Sequence, residues 1–490
     1  MKKYLITGLL AALYTIVFAQ KPGWHQKDLA KDSLMGISSE RAYSDLLKHK
    51  KSKTVIVGIV DVGVDTLQED LKEVLWTDRK TKVHGWNYIG AETGREDVTN
   101  LARDKKALYD SLAYITVPEQ YRKGYQTYRK VIPQLEHKRA DMQALIDELE
   151  SIKITADHIA KSIGKANPVI ADFKAYKPQN TNEEQLIERI IRRLKLYSDW
   201  NSYYNDEIIH IIALAKFHLE HGLNTEDNKP DTATGDYNIS PDKLGPVKDP
   251  NIGGAYHGTH VAGIIGAIRN NGIGMDGIAD NVQIMMLKAN GTIRELRDKY
   301  LAMAIRYAVD HGAKVINMSF GKPYTWDKKA VDDAVKYAMK KDVLLIHAAG
   351  NAGENLDTEE HYPNPVYADK SGRANAWIEV GASGPKDDKN LAAPFSNYGK
   401  KDVDMFAPGE AIYSTLPYNQ YQSWDGTSMA TPVVAGVATL IREYYPRLTA
   451  VQVKEIMMKT VVKREILKEK CVSGGVVNAY NALKLAATYK

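Results

Sequence analysis

The sequence predicts an α/β protein of three layers, in which a mostly parallel sheet is flanked by helices and interrupted by an inserted helical subdomain. Three observations predict it. Thr54-Val55-Ile56-Val57-Gly58-Ile59-Val60 is a short, β-branched apolar run of the kind that forms a strand buried on both faces. From about residue 255 onward, apolar runs at 282–287, 314–318 and 343–347 alternate with helical patterns at 301–311 and 329–340, the signature of parallel strands joined by crossover helices. Between these portions, residues 96–231 are rich in Lys, Glu, Tyr and Ile and poor in glycine, and carry helical periodicity.

Taken in order, residues 1–19 have the form of a secretory signal: Lys2 and Lys3, an apolar run over 5–18, and Val17-Phe18-Ala19 as a small-residue cleavage site. The expected destination is outside the cytoplasm, secreted or periplasmic. The apolar run falls short of the roughly 20 residues that span a bilayer, so no stable membrane insertion is expected after cleavage. Loss of the two lysines lowers the formal charge from +5 to about +3, too little to capture polyanions, and no nucleic-acid partner is expected. Residues 20–52 read as a polar arm. The core begins at 53–95, is broken by the insertion 96–231, and resumes over 232–490. A chain of 490 residues with an apolar share of 44% can bury more than one core. Cys471 is the only cysteine; with no internal disulfide, it is read as a small buried apolar residue.

Within the insertion, Tyr125, Tyr128, Ile132, Leu135, Met142, Ile146 and Leu149 place one apolar stripe on a helix that Pro133 is expected to kink or restart. Thr181-Asn182-Glu183-Glu184 reads as a capping box opening a second helix that continues toward Phe217.

Acyl transfer on a peptide needs a nucleophile, a base, a group that orients the base and donors for the oxyanion. Ser428, in Gly426-Thr427-Ser428-Met429-Ala430-Thr431-Pro432, sits at a turn entering an apolar helix, whose positive end favours developing negative charge. His257-Gly258-Thr259-His260-Val261-Ala262-Gly263 opens another helix and offers two histidines. Asp61 follows a buried strand at the carboxyl edge of the predicted sheet, where α/β proteins collect functional groups. The chain order Asp, His, Ser is one of the known triad orders. Taken singly, each residue has a plain structural reading as a strand-end cap, a core histidine or a helix N-cap; the joint pattern favours chemistry.

These segments, with Asp61-Val62-Gly63-Val64-Asp65, resemble the three active-site signatures of subtilisin-like serine proteases, over about residues 53–95 and 232–485. The resemblance implies the subtilisin-like three-layer fold and a serine endopeptidase acting on polypeptide substrates, with catalytic residues Asp61, His257 and Ser428 and with His260 a structural neighbour. It implies that Asn351, in His347-Ala348-Ala349-Gly350-Asn351, supplies an oxyanion donor. Ser319, Phe320 and Gly321 would line the substrate backbone, and the pocket floor would lie near Glu360-His361-Tyr362-Pro363. No cofactor is implied for the chemistry. A structural calcium ion is implied at Asp70 and Asn271, nine residues after Asp61 and in an Asn-Asn-Gly loop.

Two features depart from the family pattern: Val62, where relatives carry a hydroxyl that supports the aspartate, and the 195 residues between Asp61 and His257. The insertion is expected to overhang the substrate cleft. The rival reading is a protease-like scaffold, against which all three triad residues and Asn351 are present. Nothing in the sequence sets an oligomeric state.

Overall fold

The computed structural model describes residues 22–88, 96–113, 115–194, 199–226, 255–290 and 296–489. The signal segment 1–19 and the start of the resumed core at 232–254 lie outside them. The described residues form eleven strands: β1 (Val55–Asp61), β2 (Gly85–Asn87), β3 (Val282–Lys288), β4 (Val315–Met318), β5 (Leu344–Ala348), β6 (Trp377–Ser383), β7 (Met405–Pro408), β8 (Ile412–Leu416), β9 (Gln420–Trp424), β10 (Val462–Lys463) and β11 (Gly475–Val476). Nine of them form one sheet in the order β10-β11-β7-β6-β5-β4-β1-β3-β2. Every pairing in it is parallel except β10 with β11, and β8 and β9 form a separate antiparallel hairpin.

Strand period decides the two faces. Val57 and Ile59 of β1, Ile284 and Met286 of β3, and Leu344 and Ile346 of β5 pack with the helices Tyr256–Gly266 and Thr427–Tyr444. Val60, Met285, Leu287 and Leu345 pack on the opposite side with the helices Asp298–Asp310 and Lys328–Lys340. The β-branched runs are therefore buried on both sides, as a three-layer α/β fold requires.

Inside the segment 97–222 the elements are helical. Its longest helix, Glu119–Ile163, has 45 residues and runs through Pro133 without ending there. Tyr128, Leu135, Met142, Ile146 and Leu149 are its buried stripe, joined by Val131. The capping-box expectation at Thr181 is corrected by one residue: Asn180 is the N-cap, its Oδ1 accepting the Glu183 N–H at 3.0 Å. The continuous helix expected from there to Phe217 is broken once: Thr181–Arg193 ends before Asp199, the extended N-cap of Trp200–Tyr204, which continues through the π-helical turn Asn205–Ile209 into His210–Phe217.

Two kinds of contact tie this segment to the sheet. Exposed ion pairs join Lys123 to Glu360 at 3.0 Å and Lys130 to Glu359 at 3.4 Å, worth about 0–1 kcal/mol each. The other contact is buried. Lys322 Nζ lies 2.6 Å from Asp97 of the insertion and 2.8 Å from Asp298 at the start of a core helix. Asp298 Oδ2 also accepts from Thr325 Oγ1 and from the Trp326 and Asp327 N–H groups. Between the long helix and segment 320–324 lies a cavity of about 620 Å³, with Met142 and Leu145 on one side and Phe320, Pro323 and Tyr324 on the other.

Candidate active site

The parallel sheet delivers the predicted residues to one edge. Asp61 is the last residue of β1, Ser319 and Phe320 follow β4, and Asn351 follows β5 through Ala349 and Gly350. His257 and Ser428 are each the second residue of a helix whose N-terminus meets that edge. The first of these helices can come this close because residue 258 is glycine: a Cβ there would stand 2.1 Å from the Gly63 carbonyl oxygen.

Asp61 is buried, and both its carboxylate oxygens lie 2.9 Å from His257 Nδ1. The Val62 N–H also donates to Oδ1 at 2.7 Å. A backbone donor thus supports the carboxylate where the departure at Val62 removes a side-chain one. Burial pushes the His257 pKa down, but the Asp61 charge and hydrogen bond together more than offset it, and the net shift is upward from 6.5. Nδ1 facing the carboxylate carries the proton, leaving Nε2 as the basic nitrogen of the neutral ring.

His260 does not join this group. It is fully buried, its ring stacks on Trp424 with centroids 4.6 Å apart, and its Nε2 sits 3.0 Å from the Gln422 carbonyl. Burial drives its pKa down to about 3, so it is neutral at ordinary pH.

Ser428 and Ser319 are joined reciprocally. The Ser428 hydroxyl donates to the Ser319 carbonyl at 3.1 Å, and the Ser319 hydroxyl donates to the Ser428 carbonyl at 2.9 Å. Pro432 explains the second bond: lacking an N–H, it leaves the carbonyl four residues earlier without its helical donor, and Ser319 supplies one. Asn317 Nδ2 in turn donates to Ser319 Oγ at 2.9 Å. Among the described residues Ser428 Oγ donates to the Ser319 carbonyl and has no hydrogen bond to His257.

Asn351 is oriented by the neighbouring threonine. Its Oδ1 accepts from the Thr427 N–H and Oγ1, both at 2.9 Å, so its Nδ2 is turned away as a donor. Gly426 shows how near this donor is to the Ser428 amide: a Cβ at residue 426 would lie 3.6 Å from Ser428 N and 3.7 Å from Asn351 Nδ2. The two nitrogens lie beside one small space. Alongside it, no backbone hydrogen bond among the described residues uses Phe320 or Gly321, which leaves that stretch open for pairing with an extended chain.

Asp70 and Asn271 are also brought together, through a hydrogen bond. Asn271 Nδ2 donates to Asp70 Oδ1 at 2.6 Å and the Met275 N–H donates to Oδ2 at 3.1 Å. Both carboxylate oxygens thus face N–H donors, whereas a calcium ion needs converging oxygens, so these residues as arranged do not fit the ion.

Some polar contacts beside the site are not legible in the sequence. Lys322 pairs with Asp97 across 225 positions, and no local pattern signals it. His347 and Glu379 had a signal: each is a polar residue inside an apolar strand, they are cross-strand partners in the β5–β6 register, and His347 Nδ1 lies 2.8 Å from Glu379 Oε1.

A model of the subtilase family matches residues 52–474, and the chain belongs to that family. Among its relatives, alkaline elastase YaB of Bacillus sp. (strain YaB) is 34% identical over 238 residues, which are 48% of this chain and 57% of that protein. Thermitase of Thermoactinomyces vulgaris is 42% identical over 188 residues, 38% of this chain and 61% of that protein. The chain therefore spans less than two thirds of the length of either relative. Among solved structures, a protease domain of PatA aligns with 48% of this chain and 81% of its own, at 28% identity and a TM-score of 0.40. No helix among the described residues is long and apolar enough to cross a membrane.

Proposed function

We propose that this chain is an exported serine endopeptidase in which Ser428 is the nucleophile, His257 the general base, Asp61 the group that orients the base, and Asn351 with the Ser428 N–H the oxyanion donors. The observation that carries the reading is the two-oxygen grip of Asp61 on His257 Nδ1, at the same sheet edge as the neighbouring Ser428 N and Asn351 Nδ2. A polypeptide pairing with Ser319, Phe320 and Gly321 would lay its scissile carbonyl between those donors. Ser428 Oγ attacks the carbonyl carbon as its proton passes to His257 Nε2, and the C=O electron pair moves onto oxygen. Collapse expels the amine, which takes the proton from His257, and leaves an acyl-enzyme on Ser428. Water, deprotonated by the same imidazole, then releases the acid. Each oxyanion donor contributes about 3 kcal/mol of transition-state stabilisation.

The cavity between the long helix and segment 320–324 supports an extended, unfolded chain as substrate, since the insertion stands over one side of the approach. Export by the segment 1–19 belongs to the same proposal. Calcium takes no part in it. With both Asp70 oxygens bonded to N–H donors, the expected melting curve in millimolar chelator is the same as without it, and a fall in melting temperature would restore the ion.

The test is the pH profile of kcat/KM on an unstructured peptide. His257 must be neutral to act as base and its pKa is raised, so activity is expected to climb with pH through a midpoint above 6.5. Asp61→Asn removes the raising charge and is expected to move that midpoint down while cutting kcat by about 10⁴-fold. The stability linkage has the opposite sense: protonated His257 is the form Asp61 stabilises, and that contribution is lost as pH rises through the raised pKa. A profile without an acid limb, or one that Asp61→Asn leaves in place, contradicts the assignment of the base.

A further inference from the structure

We infer that His361 fills the recess beside the scissile carbonyl, so that only residues with small side chains are accepted as the acyl residue of the substrate. The inference rests on the endopeptidase reading and adds the substrate class to it. A carbonyl held by Ser428 N and Asn351 Nδ2 lies between two segments that leave the sheet side by side, Ser319 to Gly321 after β4 and Ala348 to Gly350 at the end of β5. The side chain of the residue bearing that carbonyl has to enter the gap between them.

The His361 ring is already in that gap and touches both walls. A Cβ on Gly321 would be 2.1 Å from His361 Cε1 and 2.2 Å from Nε2, and a Cβ on Gly350 would be 3.3 Å from Cε1. The imidazole thus occupies the space that any side chain at residue 321 would need. It is held there: Nε2 bonds the Ala348 carbonyl at 3.2 Å. The next residue is tied to the opposite wall by Tyr362 N–H to Lys322 O at 2.8 Å and Lys322 N–H to Tyr362 O at 2.9 Å. Rotating the ring out would break the Ala348 bond and would not move the backbone that carries it.

His361 packs in turn against a second imidazole. The His347 ring lies with its centroid 5.4 Å from that of His361, His347 Nδ1 is bonded to Glu379, and the second Glu379 oxygen accepts Trp377 Nε1 at 2.9 Å. His347, His361 and Glu379 bring ligand atoms within 4.8 Å of one another, and hydrogen bonds already occupy His347 Nδ1 and both Glu379 oxygens. Burial, followed by the neighbouring His347, lowers the His361 pKa to about 4, so the ring at neutral pH is uncharged and offers no ion pair to an acidic side chain.

Four fluorogenic peptides that differ only at the acyl residue, carrying Ala, Ser, Phe or Glu, test this. The wild-type kcat/KM is expected to be at least about 100-fold higher for Ala and Ser than for Phe or Glu. In His361→Gly, and in the milder His361→Ala, the Phe-to-Ala ratio is expected to rise by at least about tenfold, with rates normalised to the fraction of protein labelled by a fluorophosphonate. Equal cleavage of Phe and Ala by the wild type overturns the inference, and so does an unchanged ratio in a labelled variant. A wild-type preference for Glu would also overturn it, making His361 a ligand for acidic side chains. If the wild type is not labelled at all, the endopeptidase reading falls and takes this inference with it.

Discussion

Replacing Ser428 by alanine is expected to abolish both hydrolysis of casein and labelling by a fluorophosphonate, while the fold survives. The loss in kcat should be about 10⁶-fold, the size that removal of the nucleophile has in a subtilisin, a relative rather than this protein. The fold survives because the Ser428 atom that anchors the site's architecture is its backbone carbonyl, which receives the Ser319 hydroxyl at 2.9 Å and is untouched by the substitution. What is lost is the Oγ that donates to Ser319 and would attack the substrate. Unchanged labelling in Ser428→Ala would place the reactive group elsewhere and remove the proposed function. Unchanged turnover without labelling would point to a contaminant or to a water-based mechanism at the same edge, and either result defeats the assignment.

The largest effect on stability is expected from Lys322→Met. Lys322 is the cation between Asp97 and Asp298, both almost fully buried, and its removal leaves two carboxylates facing each other away from water. Breaking a buried ion pair from one side costs about 3–5 kcal/mol, because the stranded charge keeps its desolvation penalty. Arg297 Nε, 3.9 Å from Asp97, offsets only part of this. Chemical denaturation in a Ser428→Ala background, which prevents self-cleavage, measures the loss. Adding Asp97→Asn should recover part of it by removing one of the two stranded charges. A Lys322→Met loss below about 1 kcal/mol would mean that the cluster contributes no more than an exposed ion pair.

The residues that could be read from the sequence are those whose signal is local. Asp61 ends a run of β-branched residues, so its position at the carboxyl edge of a parallel sheet follows from periodicity; His257 and Ser428 stand among small residues at helix starts, and it is the resemblance to subtilisin-like proteases that groups them with Asp61 and selects His257 over His260. Boundaries shifted where a single hydrogen bond decides them, as at Asn180, whose side chain takes the cap that Thr181 also has the chemistry to provide. Pro133 was expected to disturb its helix; in an exposed position on a helix held by tertiary packing of its apolar stripe, the lost hydrogen bond does not end the element. The specificity recess was located only roughly, near 360–363, because its content depends on which side chain projects between two distant segments. His361 meets Gly321 and Gly350 through folding, and a turn sequence carries no record of that.

The burial of Asp97 against Lys322 also bears on how such an insertion can be inherited or moved. The insertion is not a detachable cassette. One of its carboxylates completes a charge cluster whose other members, Lys322 and Asp298, belong to the catalytic scaffold. A graft of residues 97–222 onto another subtilase scaffold would bring in a buried anion with no cation waiting for it, and excision from this chain would take the Asp97 counter-ion away from Lys322. Gain or loss of the insertion without a change beside the substrate-pairing segment carries the cost of an imbalanced buried charge, and an engineer transplanting it would need to carry Lys322 and Asp298 along.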